Sequence, residues 1–403
     1  MRHRLTNYVF LLLGIILVIF PTACIRKPES ASPPGPPVQW SKRFGEGSNV
    51  SGGPVQQTKD GGYIVCGMME TPIMETPYKN RESAWLIKTN ADGNTLWDRV
   101  FDGGYINSLQ QTTDDGYIMC GNFRSSKYDN SAIWLIKTDA EGNKIWDKTF
   151  KENKGGLGNS IQQTTDGGYI VCGTMELYGD DNDDIWLIKT DAEGNKLWDR
   201  TFGGEHDNVG RSVQQTTDGG YILCGLMSYR ASDTSYSAWI RLIKTNADGN
   251  TLWDKTIGAG NQQCGAVRQT TDGGYIICGN SSITMIAIQV LLIKTDTSGD
   301  TLWEKTFGGR GIAFSYSVQQ TTDGGYVICG VKFKSLGAGN FIWVIRTDAD
   351  GNKLWDGKFG DEMWSSGYSI QQTADGGYII CGTTSPYTEK AHNMQLLKLA
   401  PEQ

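Results

Sequence analysis

Ser160-Ile161-Gln162-Gln163-Thr164-Thr165-Asp166-Gly167-Gly168-Tyr169-Ile170-Val171-Cys172-Gly173 opens a unit that decides the fold. After a polar stretch it continues as Ile185-Trp186-Leu187-Ile188-Lys189-Thr190-Asp191-Ala192-Glu193-Gly194-Asn195-Lys196-Leu197-Trp198-Asp199-Arg200-Thr201-Phe202. The first five residues alternate apolar with polar, as a half-buried strand does. Asp166-Gly167-Gly168 supplies the positive φ of a tight hairpin. Tyr169 to Gly173 is β-branched and aromatic, suited to a strand covered on both faces. Ile185 to Thr190 reads as a third strand. Asp191 to Asn195 is a second turn, with an aspartate able to bond its own backbone and a glycine for a left-handed position. Lys196 to Phe202 is a fourth strand.

The same unit recurs along the chain. Its cysteine falls at Cys66, Cys120, Cys172, Cys224, Cys278, Cys329 and Cys381, at intervals of 54, 52, 52, 54, 51 and 52 residues. A fixed period of this size indicates a solenoid, an array or a propeller. No segment after the leader carries a sustained helical apolar period, so the expected class is all-β, and four strands per repeat is a propeller blade. The ends select among these architectures. Residues 38–45 read as a fourth strand without its first three. Residues 369–373, 378–382 and 394–399 read as three strands without a fourth. Together they complete one blade, whereas an open stack needs capping repeats. The expectation is a seven-bladed β-propeller over 38–403 whose last blade is closed by the N-terminal strand.

Residues 1–24 read as an export leader: Arg2 and Arg4, an apolar run over 8–20, then Pro21-Thr22-Ala23-Cys24. The run is short for a bilayer span. The ending resembles a bacterial lipobox, which implies lipid attachment at Cys24, a membrane anchor and an address in the cell envelope or at the cell surface. Residues 25–37 are a Pro/Ser-rich linker. The chain carries a net charge of −7, and cleavage after Ala23 removes two arginines and no acids, giving −9. That argues against a nucleic-acid partner. The seven periodic cysteines occupy equivalent positions on sheets expected about 10 Å apart, too far for disulfides. They are expected as buried thiols, with Cys264 outside the pattern as a free thiol.

The constant turns fall on one face of the expected ring and the variable loops on the other. Function concentrates where loops vary on a rigid scaffold. The candidate ligand-binding residues there are Tyr105, Tyr178, Asp181, Asp183, Tyr229, Tyr236, Tyr316, Trp364 and Tyr368. Flat aromatic rings with interspersed acids suit a glycan or a protein partner. Asp180, Asn182 and Asp184 have the alternate spacing of a calcium loop but lack its later glycine and glutamate, so a solvated loop tip is the expectation. Six copies of the Asp-Ala-Glu-Gly-Asn type turn are structural. Only His206 and His392 follow the leader, which disfavours His-based triads and histidine metal sites. No catalytic set, metal or cofactor is expected.

The segment Thr190 to Trp198 resembles the tryptophan motif of quinoprotein-type (PQQ-like) propellers. That family includes cofactor-dependent enzymes, whose adjacent-cysteine pair is absent here, and non-enzymatic outer-membrane assembly lipoproteins. The same turn faintly resembles the Asp-box of sialidases. The full phrase over 38–399 resembles bacterial and archaeal surface repeat proteins. The resemblance implies the fold and a non-catalytic binding or scaffold module. The alternatives are a carbohydrate-active enzyme using Asp181, Asp183, Glu205 and Glu362, a quinoprotein enzyme, or a structural surface protein.

Overall fold

The computed structural model describes residues 33–72, 80–124, 131–152, 155–176, 182–232, 235–258, 260–284, 287–334, 338–360, 364–385 and 391–402. These are all β, with 28 strands in four-stranded antiparallel arrangements. The third sheet is representative. Gly155–Gln163 pairs with Tyr169–Glu176, that strand with Asp184–Thr190, and that with Lys196–Phe202. The strand order is sequential, as short hairpin turns demand. The two middle strands are buried almost throughout, while the fourth is exposed or half-buried until its last residue. Sheets 1 to 6, numbered along the chain, each repeat this plan. The seventh consists of Trp364–Gln372, Tyr378–Ser385 and Asn393–Leu399, and Val38–Phe44 supplies its outer strand by pairing Trp40 with Lys398 and Phe44 with Met394. One parallel bridge, Asn340 to Trp364, links the sixth and seventh sheets.

The core lies between neighbouring sheets. Ile118, Cys120, Ile133 and Leu135 of the second sheet pack against Ile161, Tyr169, Val171 and Trp186 of the third. At the outer rim, each fourth-strand tryptophan meets the tyrosine that opens the next sheet's second strand, as Trp146 meets Tyr169 with ring centroids 5.9 Å apart. The same indole sits under the next sheet's outer turn. Gly194 there has φ +77°, and a Cβ on it would lie 2.7 Å from Trp146, so the position excludes every other residue. Where the chain ends interrupt this series, Gly35 lies over Trp355 instead, and the Ala400 N–H donates to the Pro37 carbonyl at 3.0 Å.

The inner strands interlock through side chains. The second glutamine of each Gln-Gln pair accepts, through Oε1, the N–H of the residue following the threonine in the preceding sheet's turn, as Thr113 donates to Gln163 at 2.9 Å. The last-to-first junction is made the same way, Ala374 donating to Gln57 at 2.8 Å across 317 residues of sequence. Six of the junctions also have the first glutamine's Oε1 accept the next inner strand's N–H, as Gln163 donates to Gln110 at 2.6 Å. These bonds occupy the inner strand edges, which would otherwise be free to recruit other strands.

A second device recurs at every sheet. The lysine of the third strand is buried, and its ammonium bonds the turn aspartate and a backbone carbonyl. Lys189 Nζ donates to Asp166 and to the Thr190 carbonyl, both near 3 Å. Lys88, Lys137, Lys244, Lys294 and Lys398 repeat this with Asp60, Asp114, Asp218, Asp272 and Asp375, and Arg346 does so with Asp323. Burial alone would raise these carboxyls. Hydrogen bonds from the cation, the turn threonine and the turn glycine outweigh it and hold all seven below the usual range, Asp218 at about 2. A carboxyl whose folded pKa is depressed stabilises the fold above its unfolded value of about 3.9 and loses that contribution as pH falls through the folded value. The melting temperature is therefore expected to hold between pH 7 and 5 and to fall steeply between pH 4 and 2. Calorimetry across that range checks it; a curve that stays flat to pH 2 contradicts it.

Cys66, Cys120, Cys172, Cys278, Cys329 and Cys381 are buried thiols, as expected. Burial pushes Cys172 and Cys381 up to about 12. Cys264 departs from expectation. It lies in the inner strand Gln262–Gln269 and is no free thiol: it is joined to Cys224 of the preceding sheet as a disulfide, with Cα atoms 6.6 Å apart. The assumed 10 Å sheet spacing fails here because blades splay from the centre outward, so inner strands approach more closely than packed parallel layers. The equivalent positions show the approach directly: a Cβ on Gly158, Gly210 or Gly367 would lie 2.5–2.7 Å from the sulfur of Cys120, Cys172 or Cys329.

Candidate functional site

Each inner strand shifts register near its middle. The skipped residues are Gly53-Pro54, Asn107, Asn159, Arg211, Gly265, Tyr316 and Tyr368. Bulges of this kind re-aim side chains and are over-represented beside functional sites. Asn107 and Asn159 spend theirs on the next blade, their amides donating to the carbonyls of Gly158 at 2.8 Å and Gly210 at 2.7 Å. The last two blades carry aromatics instead. The rings of Tyr316 and Tyr368 pack at a tilt of 53° with centroids 5.4 Å apart. Desolvation pushes both hydroxyls up, with the neighbouring ring adding to Tyr316 and hydroxyl bonds from Thr383 and Ser366 opposing the rise at Tyr368. Tyr316 still has 40% of its surface accessible.

The expected loop residues are therefore distributed otherwise than the sequence suggests. Tyr316 and Tyr368 belong to inner strands, and so do Tyr105 in Gly104–Gln111 and Trp364 at the start of Trp364–Gln372. The first strands run further toward the variable edge than the short Ser-Ile-Gln-Gln core of the repeat implies, because backbone pairing continues where the side-chain pattern has lapsed. Tyr229 lies in Tyr221–Ser232 and Tyr236 in Ser235–Thr245, two strands of a long hairpin in sheet 4. Tyr178 and Asp181 lie outside the described residues, as do Asp180 and Glu362. Asp183 is described; its N–H donates to the Asp207 carboxylate at 3.2 Å and its carbonyl accepts from Asn208 at 2.6 Å.

On the variable edge of sheet 4, Tyr229 is 47% exposed and packs against His206 at 5.1 Å. On the same sheet Arg241 clamps Asp254 and also donates to Asn208 Oδ1 at 2.8 Å and the Phe202 carbonyl at 3.2 Å. Trp364, on sheet 7, is 39% exposed. Asn208, held by Arg241, in turn donates to the carbonyl of His206, the ring partner of Tyr229, and Trp364 is joined to Asn340 by one parallel bridge. The edge thus presents exposed aromatic surface. At the opposite, constant-turn edge a cavity of about 410 Å³ is lined by Gln319, Gln320, Thr321, Thr322, Gln372 and Thr373, among others. Among the described residues no group of three or more His, Cys, Asp and Glu side chains is placed to hold a metal ion.

No family model and no curated protein matches the chain. Solved structures do. The β-propeller domain of the Trilobed protease from Pyrococcus furiosus, described as having an open velcro topology, matches with a TM-score of 0.53 at 10% identity, over 88% of this chain and 96% of that one. A Dyadobacter fermentans protein of unknown function matches at 0.52 and 11% identity, over 91% and 100%. A puromycin hydrolase matches at 0.52 and 12% identity, over 83% of this chain and 50% of that one. At such identities the likeness shows the fold, a β-propeller, and nothing of the activity.

Proposed function

We propose that the chain is a closed seven-bladed ring, fastened by Val38–Phe44, that serves as an exported, membrane-anchored binding module for a glycan or a protein. The anchor is the lipobox-like Cys24, which lies outside the described residues. The site is the variable edge. The observation that carries this reading is the exposure of Tyr229 and Trp364 at that edge, on strands tied to their neighbours through Arg241 and Asn208 and through the bridge to Asn340. Exposed rings bind with little loss of side-chain entropy, the usual economy of aromatic recognition surfaces. The opposite edge repeats one turn chemistry blade after blade and offers little basis for selectivity.

The test is a glycan array probed with residues 33–403, followed by cross-linking on intact cells for a protein partner. Tyr229→Ala and Trp364→Ala are expected to weaken whatever is captured by tenfold or more, about 1.4 kcal/mol, without lowering the melting temperature. Capture that survives both substitutions unchanged sinks the assignment to this edge. Turnover of a captured sugar would move the reading to the carbohydrate-active alternative.

A further inference from the structure

The mid-strand bulges of the inner strands are closed in two sheets and open in others. In sheets 2 and 3 the bulge side chain reaches the next inner strand, where Asn107 and Asn159 donate to the carbonyls of Gly158 and Gly210. From sheet 5 onward that closure is missing. Gly265 has no side chain, and Tyr316 and Tyr368 carry no amide. Ser315 and Gly367 hold the register position of Gly158, each opposite the glycine that follows its sheet's periodic cysteine. Neither of their carbonyls receives a side-chain donor among the described residues. A carbonyl has two lone pairs, so one backbone bond leaves each able to accept another.

These groups meet at Tyr316. A Cβ at Gly265 would lie 3.4 Å from Tyr316 Cα and 2.9 Å from the Ser315 carbonyl oxygen, so sheet 5 passes close to this bulge with a bare backbone. On the other side the Tyr316 ring meets that of Tyr368, the residue after Gly367, at 5.4 Å. Thr383 and Ser366 engage the Tyr368 hydroxyl. The Tyr316 hydroxyl has no hydrogen-bond partner among the described residues. Desolvation nevertheless pushes its pKa up, as in a group walled in by protein. The residue still keeps 40% of its surface accessible. A ring with an open face and an unpaired, partly enclosed hydroxyl is poised for a ligand, because a tyrosine held in protein ordinarily finds a partner for its O–H.

We propose that the bulges of sheets 5 to 7 form a binding site for a single neutral sugar ring, which stacks a C–H face on Tyr316 and bonds its hydroxyls to the Tyr316 phenol and to the carbonyls of Ser315 and Gly367. A sugar supplies what this set lacks: O–H donors for the carbonyls, an acceptor for the phenol and an apolar face for the ring. A planar aromatic is a poorer occupant, since rings inclined at 53° offer no parallel-walled slot. A cation is poorer as well. No carboxylate stands at any of the seven bulges, and the exposed Arg211 stands at that of sheet 4. Tyr368 follows Trp364 on the same strand at a distance of about 13 Å, at ~3.3 Å per residue. The site is therefore apart from the variable edge, and its fate is independent of the reading given for that edge.

The test is isothermal titration and saturation-transfer NMR of the full chain with glucose, galactose, N-acetylglucosamine and their methyl β-glycosides, with sorbitol and choline as controls. At least one sugar is expected to bind, and neither control. Binding that the methyl glycoside retains marks the end of a glycan chain as the source; binding that it loses marks a free sugar. Tyr316→Asn installs the residue that sheets 2 and 3 carry at this position. It is expected to fold with an unchanged melting temperature and to weaken sugar binding tenfold or more. Tyr316→Phe keeps the stacking face and removes the hydroxyl, and should weaken binding by a smaller factor. A full chain that binds none of these sugars overturns the proposal, and so does binding shared with either control. Binding that Tyr316→Asn leaves unchanged overturns it too, and in that case the sugar sits elsewhere and the variable-edge reading survives.

Discussion

A chain beginning at residue 46 is expected not to fold as a stable monomer. Val38–Phe44 is the outer strand of the seventh sheet, and its neighbour Asn393–Leu399 is buried at every position. Removing it strips the hydrogen-bonding edge of a strand that no other element covers, a bare template for aggregation. It also removes Trp40, which packs on Tyr63 at 5.8 Å and under the Gly93 turn. An indole of this kind buries 150–250 Å², worth about 4–6 kcal/mol at ~25 cal/mol/Å², against a total stability on the order of 5–15 kcal/mol for a domain. The expected outcome is aggregation, or a urea midpoint shifted by most of the native stability. Adding a peptide of residues 33–45 should rescue the truncated chain, since the missing strand forms its pairing without threading. A truncated chain that melts like the full one would contradict the seventh-sheet assignment.

The second large effect is expected from a single turn residue. Asp166→Ala removes the carboxylate partner of Lys189, whose side chain is only 4% exposed, and with it the bonds to Thr164 and Gly168. Stranding a buried charge costs roughly 3–5 kcal/mol. The low end, about 3 kcal/mol, is expected here because Asp166 is itself 59% exposed, so the pair is partly screened. Lys189→Met alone should cost less, because the carboxylate left behind faces water. The double variant should be more stable than Asp166→Ala, since it no longer contains an unpaired buried ammonium. Urea unfolding of the three variants forms a double-mutant cycle; additive losses would show that the pair is not coupled.

These two cases mark what was legible in the sequence. The blade plan, the number of strands and the role of the N-terminal strand follow from a period of 51–54 residues and from two complementary fragments at the chain ends. The Lys189–Asp166 pair was present in every repeat but reads as a strand residue and a turn residue, because nothing in a one-dimensional pattern says that the end of the third strand lies beside the first turn. Cys264 looked solitary for the same reason. Among its register equivalents are Gly158, Gly210 and Gly367, and only the inner-strand geometry reveals that their Cβ positions face a cysteine. The candidate site was partly legible. Composition found the aromatics but misassigned Tyr316 and Tyr368 to loops, since a one-residue bulge is silent in sequence.

The most direct test of the closed ring is amide hydrogen exchange read peptide by peptide. The account predicts that Val38–Phe44 and Asn393–Leu399 exchange as slowly as the interior strand Tyr169–Glu176, and that Gln57, whose N–H is bonded to Gln371 at 2.6 Å, is as protected as Gln163. Exchange of 38–44 within seconds, beside a protected interior, would contradict closure by the N-terminal strand.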